Sequence, residues 1–339
     1  MGNGLVFKTR LGEARETDSM EFMRERVSDK SVDLIITSPP FCLNTPKEYG
    51  NMTADNYLRW LREFAVEFHR ILKESGSLVI DLGGAWQSGV PVRNLYQFKL
   101  LIMLCEECGF HLAQDFYWWN PSKLPTPAEW VTIRRIRVKD AINTIWWLSK
   151  SPFPKATNKR VLVPYSKHQL DLMSNGYKAK KRPSGHDISK SFQRDNRGSI
   201  PSNLIALPNT GSKDKYFKYC ESRDIKPHPA RFPVDIPAIF IRMLTEKGDT
   251  VFDPFAGSCT TGAAAEIFER SWVCCDTEKQ YLEGAKGRFT KEALTAEKER
   301  ILFGNGKRPR RPFYEAPAPC LNLIGEEDSP LPQDGGKHK

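Results

Sequence analysis

The chain holds 339 residues, 40% hydrophobic and 27% charged, an ordinary globular composition that excludes wholesale disorder. Its apolar runs, residues 32–36 among the longest, are too short to cross a bilayer, and the start MGNGLVFKTR has no apolar core of a secretory signal. Of the eight cysteines only Cys105 and Cys108 have ligand-pair spacing, and no second pair follows at zinc spacing, so the expectation is reduced thiols in a cytoplasmic protein, with no metal and no membrane partner.

The net charge of +10 is unevenly placed. Residues 151–231 hold 17 Lys and Arg against 6 Asp and Glu, a net of +11, while the remaining 34 cations face 35 anions. Solvated faces usually mix both signs, so a segregated basic block reads as a surface for a polyanion, nucleic acid first.

In chain order, VDLIIT at residues 32–37 reads as a β-branched strand, and Ser38-Pro39-Pro40 ends it because proline cannot continue a ladder. Tyr57, Trp60, Leu61, Phe64, Ala65, Phe68 and Leu72 recur at helical spacing and predict a helix from about Asp55 that Gly76 stops. Strands follow at 78–82, 114–119 and 141–148, with a helix over 95–108 that Gly109 ends. Strands alternating with helices predict a parallel α/β sheet with both faces covered. Trp118, Trp119, Trp146 and Trp147 read as core and pocket wall. Residues 151–227 lose the rhythm to prolines and to the cluster Lys180-Lys181-Arg182, which predicts an irregular inserted domain; His186-Asp187 within it reads as a local turn. A helix over 232–244, a strand over 250–253, a helix over 260–269 and a strand over 272–276 restore the α/β order. The division is 1–150, an insert 151–227, 228–300, and a Pro- and Gly-rich tail 301–339 without the apolar surface to order itself.

Two loops carry chemistry. TVFDPFAGSCTTGAAAEIFERSWVCCD is a strand, a tight turn, a helix and a second strand ending in Asp276, nineteen residues beyond Gly257. Small turn residues let backbone approach a ligand, and a carboxylate after the next strand accepts ribose hydroxyls. GxGxxG is absent, so the turn suits the adenosine and methionine parts of S-adenosylmethionine better than a dinucleotide. The other loop is Thr37-Ser38-Pro39-Pro40-Phe41, where two prolines hold nearby carbonyls rigid beside a hydroxyl and an aromatic ring. Loops at the carboxyl ends of strands meet in one crevice. If both loops sit there, an amine held by one would face a methyl donor held by the other.

Ser-Pro-Pro-Phe followed later by Asp-Pro-Phe-Ala-Gly-Ser resembles the amino-methyltransferases that modify DNA, in the β-class order of catalytic loop, insert and cofactor loop. The likeness spans residues 5–290 and includes SPPFCLNTPKEYGN and NPSKLPTPAEWVTIRRIRVKDAIN. It implies a Rossmann-like S-adenosylmethionine-dependent fold with an inserted DNA-recognition domain, and the serine form of the loop is that of cytosine-N4 enzymes. Carried over, Ser38, Pro39, Pro40 and Phe41 are catalytic. Asp253, Phe255, Ala256, Gly257, Ser258, Asp276 and Phe232 hold S-adenosylmethionine, and residues 228–232, 81–84 and 119–121 wall the pocket. Lys180, Lys181, Arg182, Arg194 and Arg197 are the candidates for double-stranded DNA, with Arg134, Arg135 and Arg137 as the other basic cluster. A cognate restriction endonuclease is the implied partner. Cys259 departs from the glycine common in the family and demands a turn that admits a Cβ. Cys42 lacks a Pro-Cys context and reads as packing. Adenine-N6 methylation, and a nucleic-acid-binding protein with an inactive methyltransferase fold, are the alternatives.

Overall fold

The computed structural model describes residues 4–41, 54–176, 194–209 and 214–303. Among them nine strands form one sheet: β1 Leu5–Lys8, β2 Gly12–Glu16, β3 Val32–Thr37, β4 Leu72–Leu82, β5 His111–Trp119, β6 Ile142–Ser149, β7 Leu204–Ala206, β8 Thr250–Asp253 and β9 Ser271–Asp276. Their spatial order is β1-β2-β9-β8-β3-β4-β6-β5-β7. From β2 to β4 the sheet is parallel. At β6 the expected all-parallel sheet is corrected, since this strand runs antiparallel to both β4 and β5. A parallel return needs a crossover helix. The stretch between β5 and β6 holds only one short helical turn, Glu129–Ile133, and so doubles back as a long hairpin.

The helices are α1 Ser19–Arg26, α2 Ala54–Ile71, α3 Tyr96–Glu106, α4 Lys167–Asn175, α5 Lys215–Glu221, α6 Asp235–Leu244, α7 Thr260–Ile267, α8 Lys279–Ala285 and α9 Lys291–Phe303. All six β3 residues are buried, because alternate side chains feed two cores. Leu34 and Ile36 pack with Phe240 of α6 and Ala264 of α7 on one face. Ile35 packs with Leu61 and Phe68 of α2 and Leu100 of α3 on the other. Each such aliphatic contributes about 1.5–3 kcal/mol on burial.

Three features differ from expectation. Helix α2 ends at Ile71 and passes straight into β4; Gly76 lies inside that strand, where the pairing with β3 jumps from Leu72 to Ser77. Helix α6 starts at Asp235, which leaves Phe232 outside it. Within 151–227, a stretch expected to be irregular, β7 joins the main sheet beside β5, and Tyr216 and Cys220 of α5 are fully buried in the main core. Apolar groups such as Ile205 and Tyr216 find cover only against the sheet. Trp118, Trp146 and Trp147 are buried as expected. Lys180, Lys181, Arg182, His186, Cys42 and the tail beyond 303 lie outside the described residues. No helix among the described residues is long and apolar enough to cross a membrane.

Candidate active site

The central parallel strands all end on one edge, and the loops that leave them enclose a cavity of about 1050 Å³. Ser38, Pro39, Pro40 and Phe41 enter from β3, and Pro254, Phe255, Ala256, Gly257 and Ser258 from β8. Asp276 stands at the end of β9. The antiparallel sense of β6 puts its first residues, Ile142 and Asn143, on the same edge. The two loops read from sequence thus share one chamber.

On the β3 side the Ser38 hydroxyl donates to Asp81 Oδ2 at 3.1 Å, and the Asn143 amide donates to Asp81 Oδ1 at 3.3 Å. Asp81 is only 4% exposed. Burial pushes its carboxyl up to about 6, against the opposing pull of the two hydrogen bonds and the Lys123 charge. Phe41 lies against Gly83, where an added Cβ would come within 2.6 Å of the ring, so only glycine permits this approach. The Tyr96 hydroxyl donates to the Gly83 carbonyl and fixes that turn from below.

Asp253 is placed differently from expectation. It is 1% exposed, lies behind the cavity wall, and accepts from the Thr37 hydroxyl at 2.7 Å and the Phe255 amide at 3.2 Å. Its carboxyl is also pushed up to about 6, chiefly by burial. Asp253 is therefore corrected from a ligand contact to a clasp between the ends of β3 and β8. Adjacent parallel strands bring the two residues together although they are far apart in sequence.

On the β8–β9 side Asp276 Oδ2 accepts from the Gly257 amide at 2.7 Å and Oδ1 from the Glu278 amide at 2.9 Å. Burial raises this carboxyl, and backbone amides partly restore it. Gly257 sits at φ +48°, and a Cβ there would press on the His228 ring at 3.0 Å. His228 in turn meets Tyr281 edge-on at 4.5 Å. Phe255 packs against Trp60 and Phe64 of α2 at 5.4 and 5.0 Å, making an aromatic shelf on the cavity wall. Cys259 does adopt a left-handed turn, φ +49° and ψ +39°, which a non-glycine residue accepts at about 1–2 kcal/mol. Behind it the half-buried Arg288 donates to the Ser258 carbonyl at 3.0 Å and to Asp214 at 3.1 Å, tying the turn to the cap of α5.

Of the residues expected here, Ser38, Pro39, Pro40, Phe41, Phe232, Phe255, Ala256, Gly257, Ser258 and Asp276 line the cavity. Arg194 and Arg197 are exposed and do not line it. Sequence reasoning gave Asp81 no more than a place in the wall and missed Asn143, Trp60 and Phe64. Only strand pairing and helix packing bring these to the chamber; an aspartate late in an apolar strand was the one signal available for Asp81.

Residues 32–287 match the DNA methylase family model, and the chain belongs to that family. It is 47% identical over 311 residues to the type II methyltransferase M.PvuII of Proteus hauseri, covering 89% of this chain and 92% of that one. It is 26% identical over 280 residues to the type II methyltransferase M.BglII of Bacillus subtilis, covering 81% and 68%. The solved PvuII DNA methyltransferase (cytosine-N4-specific) superposes with a TM-score of 0.69 at 40% identity, covering 88% of this chain and 95% of that one.

Proposed function

We propose that this chain transfers a methyl group from S-adenosylmethionine to the exocyclic N4 amine of cytosine in double-stranded DNA, in the cytoplasm, beside a restriction endonuclease of matching sequence. The observation that carries the reading is the Ser38–Asp81–Asn143 chain of hydrogen bonds opening into the same cavity as the Gly257–Asp276 turn. The similarity to a cytosine-N4-specific enzyme supports the choice of base.

The residues present fit the cofactor. Asp276 offers a half-buried carboxylate with no cation partner among the described residues, suited to ribose hydroxyls, and the Phe255 shelf suits an adenine face. Gly257, Ala256 and Phe232 leave room for the methionine part. When bound, S-adenosylmethionine supplies an electrophilic methyl group.

Cytosine's amine is a weak nucleophile because its lone pair is delocalised into the ring, and it must shed one proton when methylated. Since Ser38 donates its own hydrogen to Asp81, its lone pairs face an incoming N–H. As the amine proton passes to Ser38 Oγ, the Ser38 hydrogen moves to Asp81, whose carboxylate predominates above about pH 6. Asn143 fixes the second carboxylate oxygen. Phe41, braced by Gly83, provides a stacking face for a base that has left the duplex, which the depth of the chamber requires. Nucleoside mass spectrometry after reaction with labelled cofactor tests the reading: label in N4-methylcytosine is expected, and label confined to N6-methyladenine or 5-methylcytosine refutes it.

A further inference from the structure

Between Trp119 and Ile142 the chain runs through 22 residues with one helical turn. Loops of this length inside a compact fold usually serve binding. This one is stapled rather than slack. The Asn120 amide donates to the Ala141 carbonyl at 2.8 Å, and the Ile136 and Arg137 amides close on Trp130 at 3.0 and 3.2 Å. Arg137 lies over the Trp86 ring, 3.8 Å from its centroid, and donates to the Pro91 carbonyl at 3.2 Å. Lys123, Thr126 and Asp140 line the cavity, so the loop forms part of its mouth.

On this frame Ile133 is 68%, Ile136 60% and Val138 86% exposed. A loop held by this many bonds has the means to turn branched side chains inward, yet it presents them to solvent. Among them stand arginines: residues 120–141 carry five cations and two anions. Arg134 is occupied by Glu129 at 2.7 Å and lies over Trp130. Arg135 is exposed, takes φ +56°, and has no hydrogen-bond or ion-pair partner among the described residues. Strained backbone of this kind gathers at ligand-contacting positions. A surface that mixes free positive charge with exposed aliphatics, at the mouth of a chamber for a single base, is complementary to duplex DNA: phosphates outside, apolar base faces within.

Resting on the reading above, we infer that residues 120–141 form a second DNA-contacting element, separate from the basic insert. Arg135 meets a phosphate, and one of Ile133, Ile136 and Val138 enters the base stack in the space the extruded cytosine leaves. Apolar side chains inserted between bases hold a duplex open in this way.

The test uses the full chain and duplex oligonucleotides carrying the sequence that the wild type methylates. The wild type is first run on a library of duplex sequences to find that sequence; no label in any cytosine of the library refutes the proposed function, not this inference. The variant Ile133→Ser, Ile136→Ser, Val138→Ser is then compared on matched duplex and on duplex whose target cytosine faces a mismatch, which needs less work to extrude. Transfer to matched duplex is expected to fall about tenfold or more, and transfer to mismatched duplex by less than about threefold. Cofactor affinity and melting temperature should stay unchanged, since these side chains are exposed. Arg135→Ala should lower the log–log salt slope of DNA binding by about one unit. Equal loss on both duplexes, or no loss on either, overturns the inference. A variant that changes from dimer to monomer in sedimentation while keeping wild-type transfer assigns the patch to a second copy of the chain, and overturns it too.

Discussion

Replacing Asp81 by Asn separates the chemistry of the site from its stability. In the fold this carboxyl is pushed from 3.8 up to about 6, so the folded protein holds its proton more tightly than the unfolded chain. The stabilisation from that proton is full below about pH 4 and is lost as pH rises through about 6. Above that, the ionised buried group costs the fold about 3 kcal/mol, at 1.36 kcal/mol per unit. Asparagine cannot ionise, so this cost vanishes. Its amide, however, turns an NH₂ toward one of the two donors, Ser38 or Asn143, at about 1–3 kcal/mol. At pH 8 the variant should be as stable as the wild type or up to about 2 kcal/mol more stable. Activity should move the opposite way. Loss of the proton acceptor removes about 10²–10⁴ from the transfer rate. Single-turnover transfer of labelled methyl from pH 5 to 8.5, with melting curves on the same samples, reads both. The wild-type rate should rise with pH to about 6 and then level, and the variant should lack that rise; Asp253 titrates in both proteins, so the difference between profiles reports Asp81. A variant rate within threefold of wild type, or an unchanged inflection, would refute the proton path through Ser38.

Asp276→Ala should weaken cofactor binding by about 1.5–3 kcal/mol, whereas Phe41→Ala should lower turnover and leave that affinity alone; equal loss of cofactor affinity in both would contradict the separate roles of the two loops. Thr37→Val keeps the shape but removes a donor from buried Asp253. It should cost about 1–3 kcal/mol at pH 8 and less at pH 5, where Asp253 is protonated, and a pH-independent loss in melting experiments would count against the clasp. Neutralising Lys180, Lys181 and Arg182 together should flatten the salt dependence of DNA binding by up to about three log–log units while cofactor binding stays normal; an unchanged slope would place the phosphate contacts elsewhere.

Much of this protein was legible along the chain, because local chemistry set it. VDLIIT against Ser-Pro-Pro, and TVFD against a small-residue turn with an aspartate after the next strand, are contiguous signals, and both loops stand where strand-ending logic put them. The buried tryptophans also followed from residue type; the left-handed Cys259 turn did not, since a residue with a Cβ by itself disfavours positive φ. The direction of β6 did not, since Ile142–Ser149 is equally apolar whichever way it runs; the lack of a crossover helix before it decided that. The sheet strand within 151–227 was hidden because three residues, Leu204–Ala206, are too short a run to announce one, and only β5 beside them makes them a strand. Asp81 and Asp253 show the same division most clearly. Each is an acidic residue in an apolar strand, a placement the chain alone leaves unexplained. Pairing of β4 with β6 and of β3 with β8 delivered their partners, Asn143 and Thr37, and burial in that sheet made one carboxyl an acceptor for the site and the other a clasp beneath it.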